Sequence, residues 1–132
     1  MNTAMGFLLG SISRIHSKMR EKSKSRLTSS HWDDVRDEHI AKHPVCAACG
    51  SVKQLQVHHV IPFHLRPDLE LMPENLITLC MDEYNCHLTL GHGGSFSCYN
   101  PNVREDAGKF STASGGERKS ILTEVKKKRM KV

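Results

Sequence analysis

Among the 132 residues, the five cysteines and nine histidines are the side chains best able to hold metal ions or move protons. Cys46 and Cys49 have two residues between them, a spacing that lets two thiolates and the adjacent backbone N–H groups wrap one ion. Cys80 and Cys86 form a second, looser pair further along the chain. Four thiolates suit a closed tetrahedral zinc site. Two disulfides are the alternative, but the odd fifth cysteine, Cys98, and the lack of a clear secretory signal favour zinc in a reducing, cytoplasmic compartment. His87 and Cys98 are alternative members of the quartet. His58 and His59 are adjacent near the end of an alternating apolar stretch. Neighbours on a strand face opposite ways, so the two imidazoles are expected to do different jobs, one at a metal and the other at water or substrate.

The elements that must carry these residues follow from the pattern. Leu55 to Ile61 reads as a strand and Leu76 to Leu79 as a second. Between them lies a long loop from Phe63 to Glu74, with Pro62, Pro67 and Pro73 at or near its limits. Asp82 to Leu90 reads as a short helix stopped at Gly91. An earlier helix runs from about His31 to Lys42: Ser30 and Asp33 resemble a capping box, Trp32, Val35 and Ile40 share a face, and Pro44 ends it. His31, His39 and His43 lie on or beside this helix as surface or half-buried residues. From Gly93 to Phe110 nothing is periodic, Ser114-Gly115-Gly116 reads as a linker, and Ile121, Leu122 and Val125 in a Lys-rich run suggest a weak basic helix. Near the start, Met5, Leu8, Leu9, Ile12, Ile15 and Met19 have the spacing of an amphipathic docking helix. A targeting peptide is the less favoured reading of that stretch.

Length allows one compact domain with tails, and hydrophobic residues at 38% with aromatics at 5% make a thin core that needs help from a metal or disulfide. No stretch approaches the ~20 apolar residues of a membrane span, since Met5 to Leu9 is broken by Gly6 and followed by Gly10. The net charge of +5 is unevenly placed. Arg14, Lys18, Arg20, Lys22, Lys24 and Arg26 oppose only Glu21 at one end. Arg118, Lys119, Lys126, Lys127, Lys128, Arg129 and Lys131 oppose Glu117 and Glu124 at the other, and the middle is net acidic. Basic ends of this kind attract a polyanion, nucleic acid above all.

In order, Cys46-x2-Cys49, Leu55-x-Val57-His58-His59-x-x-Pro62, Pro73-Glu74-Asn75-Leu76-x-x-Leu79-Cys80, Cys86-His87 and Gly91-His92 together resemble the zinc-bearing branch of the HNH endonucleases. Trp32-x-x-Val35-Arg36 through Pro44 is similar to that family's leading helix. The likeness covers about residues 30 to 100. It implies an α+β fold of the ββα-metal (His-Me finger) type with a zinc knuckle and flanking helices. It divides the chain into a basic amphipathic arm (1–29), a nuclease domain (30–110) and a basic tail (111–132).

The same resemblance implies that His58 and His87 hold a catalytic divalent ion, Mg²⁺ or Mn²⁺ and less favourably Ni²⁺, that His59 is the general base and that Asn75 braces the loop. A neutral imidazole with pKa ~6.5 can take a proton from water at pH 7, and a backbone carbonyl on its other nitrogen would fix the tautomer. His92 is a candidate third ligand, although five residues on a regular α-helix turn it about 140° away from His87. Gly91 is where the chain can leave that geometry. The spacing between Cys80 and Cys86 exceeds the family's usual two residues, so Asp82, Glu83 and Tyr84 are expected to bulge. Arg36, Arg66, Lys126, Lys127 and Lys128 are candidate phosphate contacts, His64 is read as an exposed loop residue, and Glu70 and Glu74 are read as solvated. The implied activity is hydrolysis of DNA, double-stranded by expectation, by a monomer or weak homodimer. A non-catalytic zinc-ribbon-like binding module and a secreted, disulfide-framed toxin domain are the rival readings.

Overall fold

The computed structural model describes residues 29–132; the expected arm and the Met5 to Met19 stripe lie outside the described residues. Helix α1 runs Trp32–Lys42, β1 Leu55–His59, β2 Leu76–Cys80, β3 Cys98–Tyr99, α2 Val103–Thr112, α3 Gly115–Lys128 and β4 Met130–Lys131. Between β2 and β3 the chain makes one wide π-type turn, His87–Gly91. β1 and β2 pair antiparallel with Leu55 opposite Cys80 and His59 opposite Leu76, and β3 pairs with β4. Two strands followed by a short helical turn thus form a small mixed α+β domain.

Burial explains the order. Val35, Val57, Leu71 and Leu76 form one apolar cluster, and Trp32 and Ile40 of α1 pack on it. On the other side Leu79, Leu90, Val103, Ala107 and Phe110 are sealed from solvent together with the buried cysteines. The hairpin is a two-sided divider, which is why β2 is buried at all five positions.

Several local expectations need correction. Ser30 does not cap α1: the N-cap is His31, with no side-chain cap, and Ser29 Oγ instead accepts the His31 N–H at 3.0 Å. The first strand stops at His59, two residues early, because Val60 and Ile61 turn to bond Asn75. The 63–74 loop contains two single 3₁₀ turns, Pro67–Leu69 and Pro73–Asn75, each started by proline, whose fixed φ suits the first helical position. The helix expected over 82–90 is replaced by a bend at Asp82 to Asn85 and the π-type turn. Glu70 is not solvated but 2% exposed.

The aperiodic reading of 93–110 fails because Val103, Ala107 and Phe110 have helical i, i+4, i+7 spacing, and all three are buried on α2. Ser114-Gly115-Gly116 is no linker but a helix start. Ser114 and Glu117 form a reciprocal capping box for α3, and Val125 enters the core. Arg118 of α3 donates to the Phe110 carbonyl at 3.0 Å and lies 4.6 Å over the Phe110 ring and 5.0 Å over that of Tyr84. The stretch read as a basic tail thus packs on the domain through its apolar face, with its lysines outward. Among the described residues no helix is long and apolar enough to cross a membrane.

Candidate metal centres

The first centre is built by the knuckle and the hairpin end. Cys46 N–H donates to Ser51 O (2.8 Å), Gly50 N–H to Cys46 O (3.0 Å) and Ala47 N–H to Thr78 O (2.9 Å), tying the knuckle to β2. Gly50 has φ +77°, the left-handed conformation that the tight return after Cys49 requires. One ligand atom each from Cys46, Cys49, Cys80 and Cys86 lies within 4.8 Å of the others. The Cys49 and Cys80 Sγ atoms are 3.5 Å apart, far beyond the ~2.05 Å of a disulfide, and all five cysteines are free. The two-disulfide alternative is therefore set aside.

Sulfur atoms on a tetrahedral zinc at ~2.3 Å stand roughly 3.7 Å apart, so the quartet fits that ion. Electrostatics point the same way. Cys46 is drawn down to about 4, chiefly by its hydrogen bond with Cys86. That same bond, with burial, pushes the Cys86 thiol up, and burial pushes Cys49 up to about 11. The cluster on its own favours one thiolate, and a cation is what lets the rest ionise together. Cys98 is outside the quartet, and so is His87. The bend at Asp82 to Asn85 absorbs the long spacing, with Asn85 at φ +45° and Ser51 Oγ donating to Asp82 Oδ2 at 2.8 Å.

The second centre is made of imidazoles. His58, from β1, is 3% exposed. Its ring centroid lies 5.1 Å from that of His87 and 4.8 Å from that of His92, and the three offer ligand nitrogens within 4.8 Å. The π-type turn delivers the last two. His92 N–H donates to His87 O at 3.1 Å, and the Nε2 atoms of the pair are 3.3 Å apart. Nitrogens bound at ~2.0–2.1 Å to one tetrahedral ion stand about that far apart. His92 Nδ1–H donates to the Cys98 carbonyl at 2.7 Å, leaving Nε2 as the bare nitrogen, the arrangement in which an outer carbonyl orients a ligand. His58 Nε2 and His87 Nδ1 are buried with no hydrogen-bond partner. Burial, then the neighbouring imidazoles, holds His58 well below the usual histidine range and His87 down to about 4. Neutral, crowded imidazoles with bare nitrogens suit a divalent cation.

His59 follows His58 at the end of β1 and makes a different set of contacts. Its ring stacks on Trp32 (centroids 4.6 Å, 32°), and its Nε2–H donates to the Glu70 carbonyl at 2.9 Å. Nδ1 is therefore the nitrogen free to accept, and burial lowers the ring's pKa, keeping it neutral at pH 7. Glu70 is itself anchored: its two carboxylate oxygens accept the Ser29 N–H at 2.8 and 3.0 Å. Asn75, 4% exposed, accepts from Ile61 N–H (2.8 Å) and donates to the carbonyls of Ile61 (3.1 Å) and Leu69 (3.3 Å), bridging the end of β1 to the loop.

His58, His59, His87 and His92 share the lining of one cleft of about 300 Å³ with Trp32, Val57, Pro62 and Phe63. The candidate phosphate contacts are not among that lining. Arg36 is paired with Asp33 (3.6 Å) and Asp37 (3.3 Å), Arg66 with Asp68 (2.8 Å), and Lys126, Lys127 and Lys128 are exposed in the last turn of α3. His64 is exposed. Sequence reasoning missed Trp32 and Glu70 as partners of His59, the Cys98 carbonyl on His92, and Phe96, whose ring abuts His87 and His92. No local pattern signals contacts of this kind.

A hairpin and helical turn carrying an imidazole trio, beside a four-cysteine knuckle, define a small ββα-type domain with two candidate metal sites. Residues 46–93, 48 of the 132, match the family model described as HNH endonuclease. No curated protein and no solved structure gives a match.

Proposed function

We propose that the protein is a metal-dependent endonuclease that hydrolyses phosphodiester bonds of DNA. The observation that carries this reading is the shared cleft. His59, neutral and with its Nε2 proton committed to the Glu70 carbonyl, opens onto the same 300 Å³ space as the His58, His87 and His92 trio. A base and a cation site side by side are what phosphodiester hydrolysis requires.

In this reading Cys46, Cys49, Cys80 and Cys86 hold a structural Zn²⁺, and His58, His87 and His92 hold one Mg²⁺ or Mn²⁺, with Ni²⁺ as a further possibility for imidazole ligands. That divalent ion, when bound, supplies Lewis-acid polarisation of the phosphoryl oxygen and charge stabilisation at the departing 3′ oxygen. His59 Nδ1 takes a proton from water as the water oxygen bonds to phosphorus. The P–O3′ bond breaks, and the 3′ oxygen collects a proton from solvent. Asn75 keeps the Glu70 carbonyl in register with His59 by fastening the loop to the end of β1. DNA is the polymer we assign. Arg36, Arg66 and the Lys126 to Lys128 run add salt-sensitive, sequence-independent affinity. With one histidine centre among the described residues, a monomer nicks, and both strands are cut only where two copies meet.

The test is cleavage of supercoiled plasmid with Mg²⁺ or Mn²⁺ against EDTA, beside a His59→Ala variant that keeps its zinc. Cleavage that needs the added ion and falls by at least a hundredfold without His59 is expected, the size of a general-base contribution. A folded, zinc-loaded, DNA-binding protein that cuts nothing would instead be a binding module.

A further inference from the structure

Phe96 is the most unusual surface residue near the histidine trio. It is 57% exposed, yet its ring centroid lies 4.9 Å from that of His92 and 5.9 Å from that of His87. It is not on a free loop. Ser95 N–H donates to His92 O (3.2 Å), Cys98 N–H to Ser95 O (2.9 Å) and Val132 N–H to Ser97 O (3.0 Å), so both sides of the ring's backbone are tied down. A largely exposed aromatic ring is thus held directly beside the candidate ion site.

Phe96 abuts two of the histidines that line the cleft, His87 and His92; the cleft's own apolar lining is Trp32, Val57, Pro62 and Phe63, and no Lys or Arg is among its described lining. A site that gripped an intact duplex by its phosphates would place cations there. A site whose described lining is aromatic and carries no Lys or Arg favours the flat face of a nucleobase, and stacking of that kind needs the base to be out of its own helix.

Resting on the nuclease reading above, we propose that Phe96 stacks on the base beside the scissile phosphate, so that the protein cuts DNA where that base is unpaired, at a gap, a bulge or a single-stranded segment. The aromatic face then positions the strand, and the histidines act on the phosphate next to it.

The experiment compares a fully paired duplex, the same duplex with a gap, and the single strand, each with Mn²⁺, for the wild-type protein and for Phe96→Ala, Phe96→Leu and Phe96→Trp. Zinc content, thermal midpoint and Mn²⁺ affinity without DNA are measured for each. The wild-type protein should cut gapped and single-stranded DNA at least tenfold faster in kcat/KM than paired DNA. The Ala and Leu variants should lose roughly tenfold on those substrates, mainly through KM, while Trp retains activity because it stacks as well or better. Equal cleavage of paired and gapped DNA by the wild-type protein would overturn the proposal, as would a fully active Leu variant. A loss of Mn²⁺ affinity that accounts for the lost activity would also overturn it, since Phe96 would then be shielding the ligands. Failure to cut any of the three DNAs would sink the nuclease reading, a different result from indifference to pairing.

Discussion

His92 donates its backbone N–H to the carbonyl of His87, five residues earlier, and the Nε2 atoms of the two rings stand 3.3 Å apart. On a regular α-helix residues i and i+5 diverge by about 140°; the wide turn is what brings these two ring nitrogens together. Insertions of this π type recur at functional sites for that reason. Gly91 sits within the turn, and a Cβ there would meet Cε1, Nδ1 and Nε2 of His58 at 3.0 to 3.1 Å.

Gly91→Ala should therefore push the His58 ring out of the trio. The expected cost is ~1–3 kcal/mol of stability, the usual range for overpacking a closed site, together with a roughly tenfold or greater loss of divalent-ion affinity, as for other changes that misorient ligands. Thermal unfolding and Mn²⁺ titration would check this. A variant that binds Mn²⁺ as the wild-type protein does would show that the close approach to His58 is immaterial.

Zinc removal should unfold the protein rather than merely silence it. Three of the four quartet cysteines are buried in the main apolar cluster, and the fourth packs against it. Stripping the ion would leave thiols whose ionisation is mutually opposed, in a core with few aromatics. With a strong chelator the thermal transition should drop markedly or lose cooperativity, and Cys80→Ser should do the same without chelator. An unchanged midpoint after verified zinc loss would count decisively against the structural role.

Much of this was legible in the residues and some was not. The cysteine quartet, the different surroundings of the adjacent His58 and His59 and the face of α1 made by Trp32, Val35 and Ile40 all follow from spacing and alternation. The π-type turn was only half visible: Gly91 marked a break, but its need for zero side-chain volume depends on His58, distant in sequence. Glu70 looked like a solvated acid because its Ser29 partner is 41 positions away. Helix α2 was overlooked for a different reason. Its Val103, Ala107 and Phe110 stripe is narrow and interrupted by charge, and it becomes decisive only once Leu90 and Val125 supply the opposing surface.

Asn75→Ala should separate bracing from chemistry. The substitution leaves the Ile61 N–H without its acceptor in a half-buried position and removes two donated bonds. An unpaired group of this kind costs ~1–3 kcal/mol. The loop that carries the Glu70 carbonyl should loosen, lowering kcat more than it raises KM. Asn75→Asp keeps the acceptor for Ile61 but sets a carboxylate against two carbonyl oxygens, so it should be no better than Ala. If Asp restored activity, the brace would not depend on the two donated bonds.

His39 should give the fold an acid-sensitive component independent of both metal centres. Burial, then the charges of His43, Arg104 and Lys42, lowers its pKa from 6.5 to about 4. Its Nε2 is buried without a partner. It lines a groove in which, among the described residues, Glu74 is the one acid beside His43, Lys42 and Arg104. Between pH 6.5 and 4 the unfolded chain binds a proton at this residue that the folded chain does not, so stability falls as pH falls through that window. His39→Gln removes the difference. The variant should match the wild-type protein near pH 7.5 and gain on it progressively toward pH 4. The comparison cancels the acid loss of thiol and imidazole ligands that both chains share. Denaturant unfolding of the two at pH 7.5, 6 and 5 would measure it; curves that stay parallel across the three would mean that His39 titrates normally in the folded state.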